Sequence, residues 1–258
     1  MSSKFNNGFI IFYGGCGKIG IGSIDLFIKK GIFVLNIDPN YKDYHQSKIS
    51  LYKGFDNSNF EKSLPELRAL ILELSNKYNF LGIVNFSRIP IQNNKKELSQ
   101  TKEIDEIVFK IMLFDFIRIL DELLILKLSD FSVVHFSSLN ATQVSHQSIL
   151  YHSIKGAIES TNRSLAYKLA DKNIRSNVII PGLVNTSINN PDNRTKQNEK
   201  VIPLRRGAPN STDIANLVFF LISNESKCIT GSSVLIDSGM SLPDSFTTIN
   251  KFFDKKSI

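Results

Sequence analysis

The sequence predicts an α/β protein in which a doubly wound parallel sheet lies between two layers of helices, a three-layer α/β/α arrangement. Strand-like and helix-like segments alternate along most of the chain, and a glycine-rich turn directly follows the first strand-like segment. The first strand-like segment, residues 8–13, is short and wholly apolar. Wholly apolar strands are typical of parallel sheets, because helices cover both faces of such a sheet. Alternation of strands and helices favours right-handed crossovers between parallel strands.

The predicted elements run from a strand near the start of the chain to a strand near its end. Short segments rich in apolar residues predict strands at residues 8–13, 32–37, 81–86, 131–136, 175–180 and 233–236. Apolar residues three or four positions apart predict helices at residues 21–30, 64–78, 103–128, 151–171 and 211–223. The polar segment 185–201 is rich in Asn and Lys and is predicted to be a mobile loop. We expect one domain over residues 1–242 and a separate tail over residues 243–258.

Length, charge and cysteine content limit the class of protein. A chain of 258 residues is long enough to bury one well-packed domain. Its net charge of +7 is spread along the chain without a nucleic-acid-binding motif, so we expect no nucleic-acid partner. Cys16 and Cys228 make no disulfide framework, and no Cys/His spacing is typical of a metal site. No apolar stretch is long enough for a signal peptide or a membrane span, which predicts a cytoplasmic protein without a membrane partner.

The glycine-rich turn after the first strand is a candidate phosphate-binding site. Gly14, Gly17 and Gly20 surround Lys18 and Ile19, and a predicted helix follows. Glycines let the backbone turn tightly and approach a pyrophosphate, whose charge is favoured at a helix N-terminus. Glycines can also serve only to build a tight strand-to-helix turn. The strand before the turn, the helix after it and an acidic residue at the end of the next strand favour dinucleotide binding.

That acidic residue is Asp38, eighteen positions after Gly20. A carboxylate at the end of the second strand can accept hydrogen bonds from the adenosine ribose hydroxyls and would repel a 2′-phosphate, which favours NAD(H) over NADP(H). Lys18 acts in the opposite direction, since a cation in the glycine turn could attract a 2′-phosphate. NADP(H) therefore stays open as the alternative. Asp38 could also form a turn with Pro39, and this role is compatible with ribose binding.

Ser138, Tyr151 and Lys155 form a candidate catalytic group. Tyr151 and Lys155 are four residues apart in a predicted helix, so both side chains lie on one face. Ser138 follows a predicted strand, thirteen residues before Tyr151. A hydroxyl, a phenol and a lysine cation are suited to moving a proton while a nearby cofactor moves a hydride. The alternatives are a surface pair on a helix for Tyr151 and Lys155, and a helix or loop cap for Ser138.

Taken in order, these motifs resemble the short-chain dehydrogenase/reductase family over residues 9–242. The glycine turn is similar to the family's Thr-Gly-Gly-x-x-Gly-Ile-Gly, with Tyr13 in place of Thr and Lys18 in place of a glycine. Ser138, Tyr151 and Lys155 fall on the family's catalytic serine, tyrosine and lysine. Further matches are the Pro-Gly segment at 177–186 and the C-terminal signature at 206–209, 229–231 and 237–241.

The resemblance implies a single-domain Rossmann fold and an NAD(P)(H)-dependent enzyme that interconverts an alcohol and a ketone or aldehyde. Tyr151 would be the general acid and base, Lys155 would assist it and hold the nicotinamide ribose, and Ser138 would bind the substrate oxygen. The resemblance also implies that the segment after the Pro-Gly pair faces the nicotinamide. The remaining cofactor-binding positions that it implies are Asn85, Pro181, Gly182, Val184 and Thr186.

Two positions depart from the family pattern. Only Asn85 remains of the family's Asn-Asn-Ala-Gly segment, in which Arg88 replaces a small residue. Arg88 could crowd the cofactor, point outward or reach an anionic group. Met112 stands where the family has an asparagine that anchors a water near Lys155, and a thioether has no amide to hold it. These departures make a catalytically weak, dinucleotide-binding regulatory or scaffold protein the alternative function.

The substrate and the oligomeric state are predicted in less detail than the fold and the candidate catalytic residues. The resemblance implies that the loop 187–201 and the stretch 140–147 shape the substrate pocket. Both are polar, which suggests a sugar-like or acyl substrate, although loops are also polar because they face water. The resemblance further implies a homodimer or homotetramer in which the helices 103–128 and 151–171 pack against a second copy. The tail could reach a neighbouring subunit.

Overall fold

A computed structural model of the protein describes residues 5, 7–38, 50–53, 60–89, 101–145, 148–186 and 202–243, with the backbone alone for 50–53. Residues 187–201 of the predicted loop 185–201 and most of the predicted tail lie outside the described residues. The central sheet has seven parallel strands in the order β3-β2-β1-β4-β5-β6-β7. The strands are β1 Gly8–Tyr13, β2 Phe33–Ile37, β3 Ser50–Lys53, β4 Asn79–Asn85, β5 Ser132–Phe136, β6 Arg175–Pro181 and β7 Ser233–Ile236.

This order confirms the predicted doubly wound sheet. The chain builds outward from β1 to β3 on one side and then returns to place β4 against the other side of β1. The strand order therefore reverses between β1 and β4. In open α/β sheets, ligands bind outside the carboxyl ends of the strands at such a reversal. The glycine turn follows β1, and Asn85 ends β4, so both lie at this place.

Helices cover both faces of the sheet. Their bounds are α1 Lys18–Lys29, α2 Phe60–Ser75, α3 Lys102–Phe109, α4 Asp115–Ile125, α5 Ile149–Lys168 and α6 Ser211–Ile222. One apolar cluster joins the sheet to α1 and α6, and two others join it to α2, α3, α4 and α5. In the described part of the chain, no helix has both the length and the apolar character needed to cross a membrane.

Strand β1 shows why the apolar strand pattern was informative. Phe9 and Ile11 belong to the cluster on the α2 and α4 side, whereas Ile10 and Phe12 belong to the cluster on the α1 and α6 side. All four side chains are fully buried. Alternate side chains of a strand point to opposite faces, so a strand covered on both faces has no polar position left.

The predicted single helix over residues 103–128 is wrong in one respect. It is divided into α3 and α4 by a π-helical turn, Lys110–Phe114. A π turn inserts an extra residue into the helical repeat and leaves main-chain groups without their usual partners. Strand β3 was not predicted at all. It is a four-residue strand that, among the described residues, pairs with β2 alone.

Candidate active site

The glycine turn is packed tightly on one side and open on the other. Gly14 has a φ of +78°, and a Cβ there would lie 2.6 Å from the Cα of Ser87. A Cβ on Gly20 would overlap the carbonyl oxygen of Gly15. Gly17, by contrast, has nothing within 4 Å of its Cβ position. The turn therefore requires glycine for packing at two positions and leaves space at the third.

Gly17 is also the N-cap of α1, and its position fits a phosphate group. It has no side chain to cap the helix, and the first turn of α1 contains no acidic residue. The first main-chain N–H groups of a helix have no partner within it, and the helix dipole favours an anion there. The open space at Gly17 thus lies beside donors that suit a pyrophosphate, contributed by the turn that includes Lys18, Ile19 and Gly20.

Strand β2 holds the glycine turn through two polar side chains at its end. Asp38 is buried, and its Oδ2 accepts a hydrogen bond from the main-chain N–H of Cys16 at 2.8 Å. Asn36 accepts from the N–H of Gly15 at 3.1 Å and donates to the sulfur of Cys16 at 3.4 Å. Burial, and then the charge of Asp38, raise the pKa of the Cys16 thiol to about 11, so it is neutral near pH 7. Asn36 was not predicted, although a lone amide in an otherwise apolar strand was a signal for it.

Lys155 is a buried cation beside Tyr151. Both residues are on α5, and the Nζ of Lys155 lies 5.8 Å from the centroid of the Tyr151 ring. The same Nζ donates a hydrogen bond to the carbonyl of Phe136, the last residue of β5, at 2.9 Å. Burial, and then the charge of Arg88, lower the pKa of Lys155 to about 8. The group is therefore still a cation near neutral pH.

Ser138 lies two residues after the end of β5 and is the N-cap of a short 3₁₀ turn, Leu139–Ala141. Its Oγ accepts a hydrogen bond from the N–H of Asn140 at 3.2 Å, so the cap predicted as an alternative is present. The main-chain carbonyl of Asn140 lies 2.6 Å from the Nδ1 of His152 on α5. Ser148 caps α5 by accepting from the N–H of Tyr151 at 3.2 Å. These contacts fix the turn that carries Ser138 against the helix that carries Tyr151 and Lys155.

Asn85 connects the end of β4 to its surroundings. Its amide donates to the main-chain carbonyl of Met112 at 3.1 Å, and its Oδ1 accepts from the N–H and the hydroxyl of Ser87. Met112 is fully buried and packs in an apolar cluster with Ile154 of α5. Arg88 is exposed.

The Pro-Gly segment leaves the sheet at the end of β6. The N–H of Gly182 donates to the carbonyl of Ile236 at 3.1 Å, and a Cβ on Gly182 would lie 2.6 Å from the Cβ of Asp237. Pro181, Val184 and Thr186 are each partly buried. This segment lies at the same end of the sheet as the glycine turn and Ser138, because the strands are parallel.

A separate cavity of about 380 Å³ lies at the opposite end of the sheet, near the starts of β5 and β6. Arg175 lines it, but its guanidinium is already bonded to Ser226 and to main-chain carbonyls that include that of Ser223. We therefore place the candidate active site at the carboxyl ends of the strands rather than in this cavity. Among the described residues, no three His, Cys, Asp or Glu side chains are grouped as metal ligands.

The parallel sheet, its strand reversal and the glycine turn define a Rossmann-type protein. A family model described as Enoyl-(Acyl carrier protein) reductase matches residues 66–241. The chain belongs to the short-chain dehydrogenase/reductase family, as its motifs predict. The prediction of an oxidoreductase is confirmed at the level of this family.

Curated relatives match a part of the chain. The 2,5-dichloro-2,5-cyclohexadiene-1,4-diol dehydrogenase LinX of Sphingobium indicum is 36% identical over 114 residues, which is 43% of this chain and 45% of that protein. Glucose 1-dehydrogenase 2 of Bacillus subtilis is 31% identical over 115 residues, or 43% of this chain and 44% of that protein. The matched part of the chain thus spans a little under half the length of these relatives.

Solved structures match nearly the whole chain. A short-chain dehydrogenase family protein from Francisella tularensis is 25% identical with a TM-score of 0.75, covering 92% of this chain and 99% of that one. A short chain dehydrogenase from Leptospira borgpetersenii, solved with bound NAD+, is 24% identical with a TM-score of 0.77, covering 93% and 96%. These likenesses confirm the predicted Rossmann fold.

Proposed function

We propose that this protein is an oxidoreductase that interconverts an alcohol and a ketone or aldehyde with a nicotinamide dinucleotide. The observation that carries the proposal is the position of Lys155. Its buried ammonium is fixed on the carbonyl of Phe136 and lies 5.8 Å from the ring centroid of Tyr151. A fixed cation beside a phenol, at the carboxyl end of the sheet, is an arrangement for proton transfer at a reacting oxygen.

The roles of the three side chains follow from their chemistry. When bound, the nicotinamide supplies or accepts the hydride. Tyr151 donates its phenolic proton to the carbonyl oxygen in reduction and removes the hydroxyl proton in oxidation. Lys155 stabilises the negative charge that this transfer places on the phenolic oxygen. The hydroxyl of Ser138 accepts from Asn140 and keeps its own hydrogen for donation to the substrate oxygen, where it stabilises developing charge.

The test of the mechanism is the substitution Tyr151→Phe. Because the phenylalanine ring has no proton to transfer, we expect turnover to fall by roughly 10²–10⁴-fold. Oxidation of NADH and NADPH would be followed over a panel of ketones, keto-sugars and 3-oxoacyl thioesters. Tyr167→Phe is the matched control, because Tyr167 is on the same helix and 87% exposed. Unimpaired turnover in Tyr151→Phe would refute the mechanism.

We propose that the cofactor lies along the carboxyl ends of β1, β2, β4 and β6, with the pyrophosphate at the glycine turn. Asp38 would bind the adenosine ribose, and Asn85 and the Pro-Gly segment would lie beside the rest of the molecule. The Leptospira borgpetersenii structure solved with bound NAD+ supports a nicotinamide dinucleotide. The Asp38 carboxylate, held by Cys16 at the glycine turn, supports NAD(H). Asp38→Asn should raise the use of NADPH relative to NADH, and an unchanged ratio would contradict this preference.

The alternative function is cofactor binding with little turnover, and Met112 and Arg88 favour it. It predicts that NADH binds while no substrate in the panel is reduced faster by the natural protein than by Tyr151→Phe. For the enzyme, we propose a polar substrate, sugar-like or acyl. The names of the two curated dehydrogenases, which concern a diol and glucose, support a hydroxylated one.

We also propose a homodimer or homotetramer. Several apolar side chains of the α3, π-turn and α5 surface are exposed, including Ile107, Phe114 and Ile149. Ile107→Asp should therefore lower the molecular mass measured by light scattering. Leu72→Asp, at a similarly exposed apolar position on α2, is the control and should leave the mass unchanged. A natural protein that is already monomeric would contradict the proposal.

A further inference from the structure

The segment after β4 is fixed on both sides of Arg88. On one side, the backbone of Ser87 lies against the glycine turn, because a Cβ on Gly14 would be 2.6 Å from its Cα. The amide oxygen of Asn85 also holds Ser87 through the N–H at 3.0 Å. On the other side, Ile89 packs against the apolar cluster that contains Ile154 of α5. Arg88 is therefore placed between the glycine turn and the helix that carries Lys155.

Arg88 brings a second positive charge to the candidate active site. Its side chain is exposed, and in the described part of the chain no carboxylate or carbonyl pairs with it. Its charge is nevertheless close enough to Lys155 to lower the pKa of that group. Lys155 itself is held by the carbonyl of Phe136. Of these two cations, Lys155 has a hydrogen-bond partner among the described residues and Arg88 has none there.

An arginine in this position is suited to an oxyanion. The guanidinium presents several N–H donors in a planar fork and binds carboxylates and phosphates through paired hydrogen bonds. An anion there would also offset the repulsion between the two cations. We propose that Arg88 determines substrate specificity by binding an anionic group, a carboxylate or a phosphate, of the alcohol or carbonyl substrate. This inference rests on the proposed function.

Two sources of the anion have to be distinguished, namely the substrate and the pyrophosphate of the cofactor. The opening at Gly17 and the N-terminus of α1 already provide donors for the pyrophosphate. Ile89, the next residue, packs in the cluster that contains Ile154 of α5, and the same helix carries Tyr151, where the reacting oxygen would be. The position of Arg88 therefore favours the substrate as the source.

The experiment measures binding to the protein–NADH complex rather than turnover alone. Short-chain 3-oxo acids and their uncharged methyl esters are titrated, and quenching of NADH fluorescence gives the Kd of each. We expect each acid to bind roughly tenfold more tightly than its ester, as for a charge-assisted hydrogen-bonded pair. Arg88→Gln should remove this preference, and Arg88→Lys should retain part of it. Arg163→Gln is the matched control, since Arg163 is an exposed arginine on α5.

Each result decides between the alternatives. Equal binding of acid and ester, or a preference that survives in Arg88→Gln, overturns the inference while the proposed function stands. A roughly tenfold weaker Kd for NADH in Arg88→Gln, without a change in the acid preference, assigns the guanidinium to the cofactor phosphates and also overturns it. If NADH does not bind, the proposed function fails. The acids and esters are then compared by the unfolding temperature of the free protein, where the same Arg88-dependent difference is required.

Discussion

The amide of Asn85 donates a hydrogen bond to the main-chain carbonyl of Met112 across 3.1 Å, and so joins the end of β4 to the middle of the π turn. The π turn is held from a second side by an ion pair between Lys110 and Asp115, with 2.8 Å between Nζ and Oδ2. These two residues are five apart, which matches the hydrogen-bond spacing of a π-helix. Asp115 is fully buried.

The π turn in turn supports the catalytic helix. Met112 and Leu113 pack in one cluster with Leu150 and Ile154, which flank Tyr151 and Lys155 on α5. An ordinary α-helix over the same residues would rotate the following side chains relative to α5. The contact between Asn85 and Met112 therefore links the end of β4 to the position of Tyr151, the proposed proton donor.

Asn85→Ala should lower the free energy of unfolding by about 1–3 kcal/mol. The substitution leaves the buried carbonyl of Met112 without this donor and removes the acceptor of Ser87, and each loss costs free energy. Urea unfolding would measure the change. Asn79→Ala is the control, because Asn79 lies at the exposed start of the same strand and should cost less. Equal losses at the two positions would contradict the role assigned to Asn85.

Gly17→Ala should weaken the binding of NADH with little effect on stability, and Gly20→Ala should destabilise the fold. At Gly17, φ is −71°, ψ is 159° and the Cβ position is open, so alanine should change the free energy of unfolding by less than about 1 kcal/mol. Its methyl group would occupy the space proposed for the pyrophosphate, and the affinity for NADH should fall at least about tenfold. Gly20→Ala should instead destabilise the fold by about 1–3 kcal/mol, because its Cβ overlaps the carbonyl oxygen of Gly15.

Urea unfolding and NADH fluorescence titration on both glycine variants separate the two effects. Wild-type affinity for NADH in Gly17→Ala would show that the pyrophosphate does not approach this position. Wild-type stability in Gly20→Ala would show that the turn can relax around an added methyl group.

The sheet was predictable because its strands are covered on both faces. β1 and β2 are buried at every position, so they form wholly apolar or nearly apolar runs in the sequence. β3 has the sequence Ser-Leu-Tyr-Lys, and in the described part of the chain it pairs along one edge only, so no apolar run marks it. The π turn was missed for a different reason. The carbonyl of Met112 in this turn accepts a hydrogen bond from Asn85, which is 27 residues earlier in the sequence. Helical periodicity does not report contacts between residues so far apart.

The sequence predicted the part of the candidate site that depends on the spacing of residues within a single helix. Tyr151 and Lys155 are four residues apart on α5, and this spacing alone places them on one face. The contacts that fix them were not predictable in the same way. The carbonyl of Phe136 that holds Lys155 comes from a neighbouring strand, and so does the Asn36 side chain that holds the glycine turn. These partners become neighbours only after the strands have paired.

His135 on β5 is a buried imidazole. Among the described residues, neither ring nitrogen is bonded, and the ring packs edge-on against Phe116 with 4.8 Å between centroids. Burial lowers the pKa of His135 to about 3. An unfolded chain has a histidine pKa near about 6.5, so between these values the unfolded state binds a proton that the folded state does not. Stability is therefore complete above about pH 6.5 and is lost as the pH falls below it.

His135→Leu should flatten this dependence on pH. One proton taken up on unfolding lowers the free energy of unfolding by up to about 1.4 kcal/mol for each pH unit below about 6.5. Leucine cannot bind that proton, so the slope measured by urea unfolding between about pH 7 and pH 5 should decrease by up to this amount. His152→Gln is the control, because its ring is partly buried and bonded to the carbonyl of Asn140, and it leaves His135 in place. An unchanged slope in His135→Leu would mean that the acid sensitivity comes from other groups and that the buried ring is protonated without unfolding.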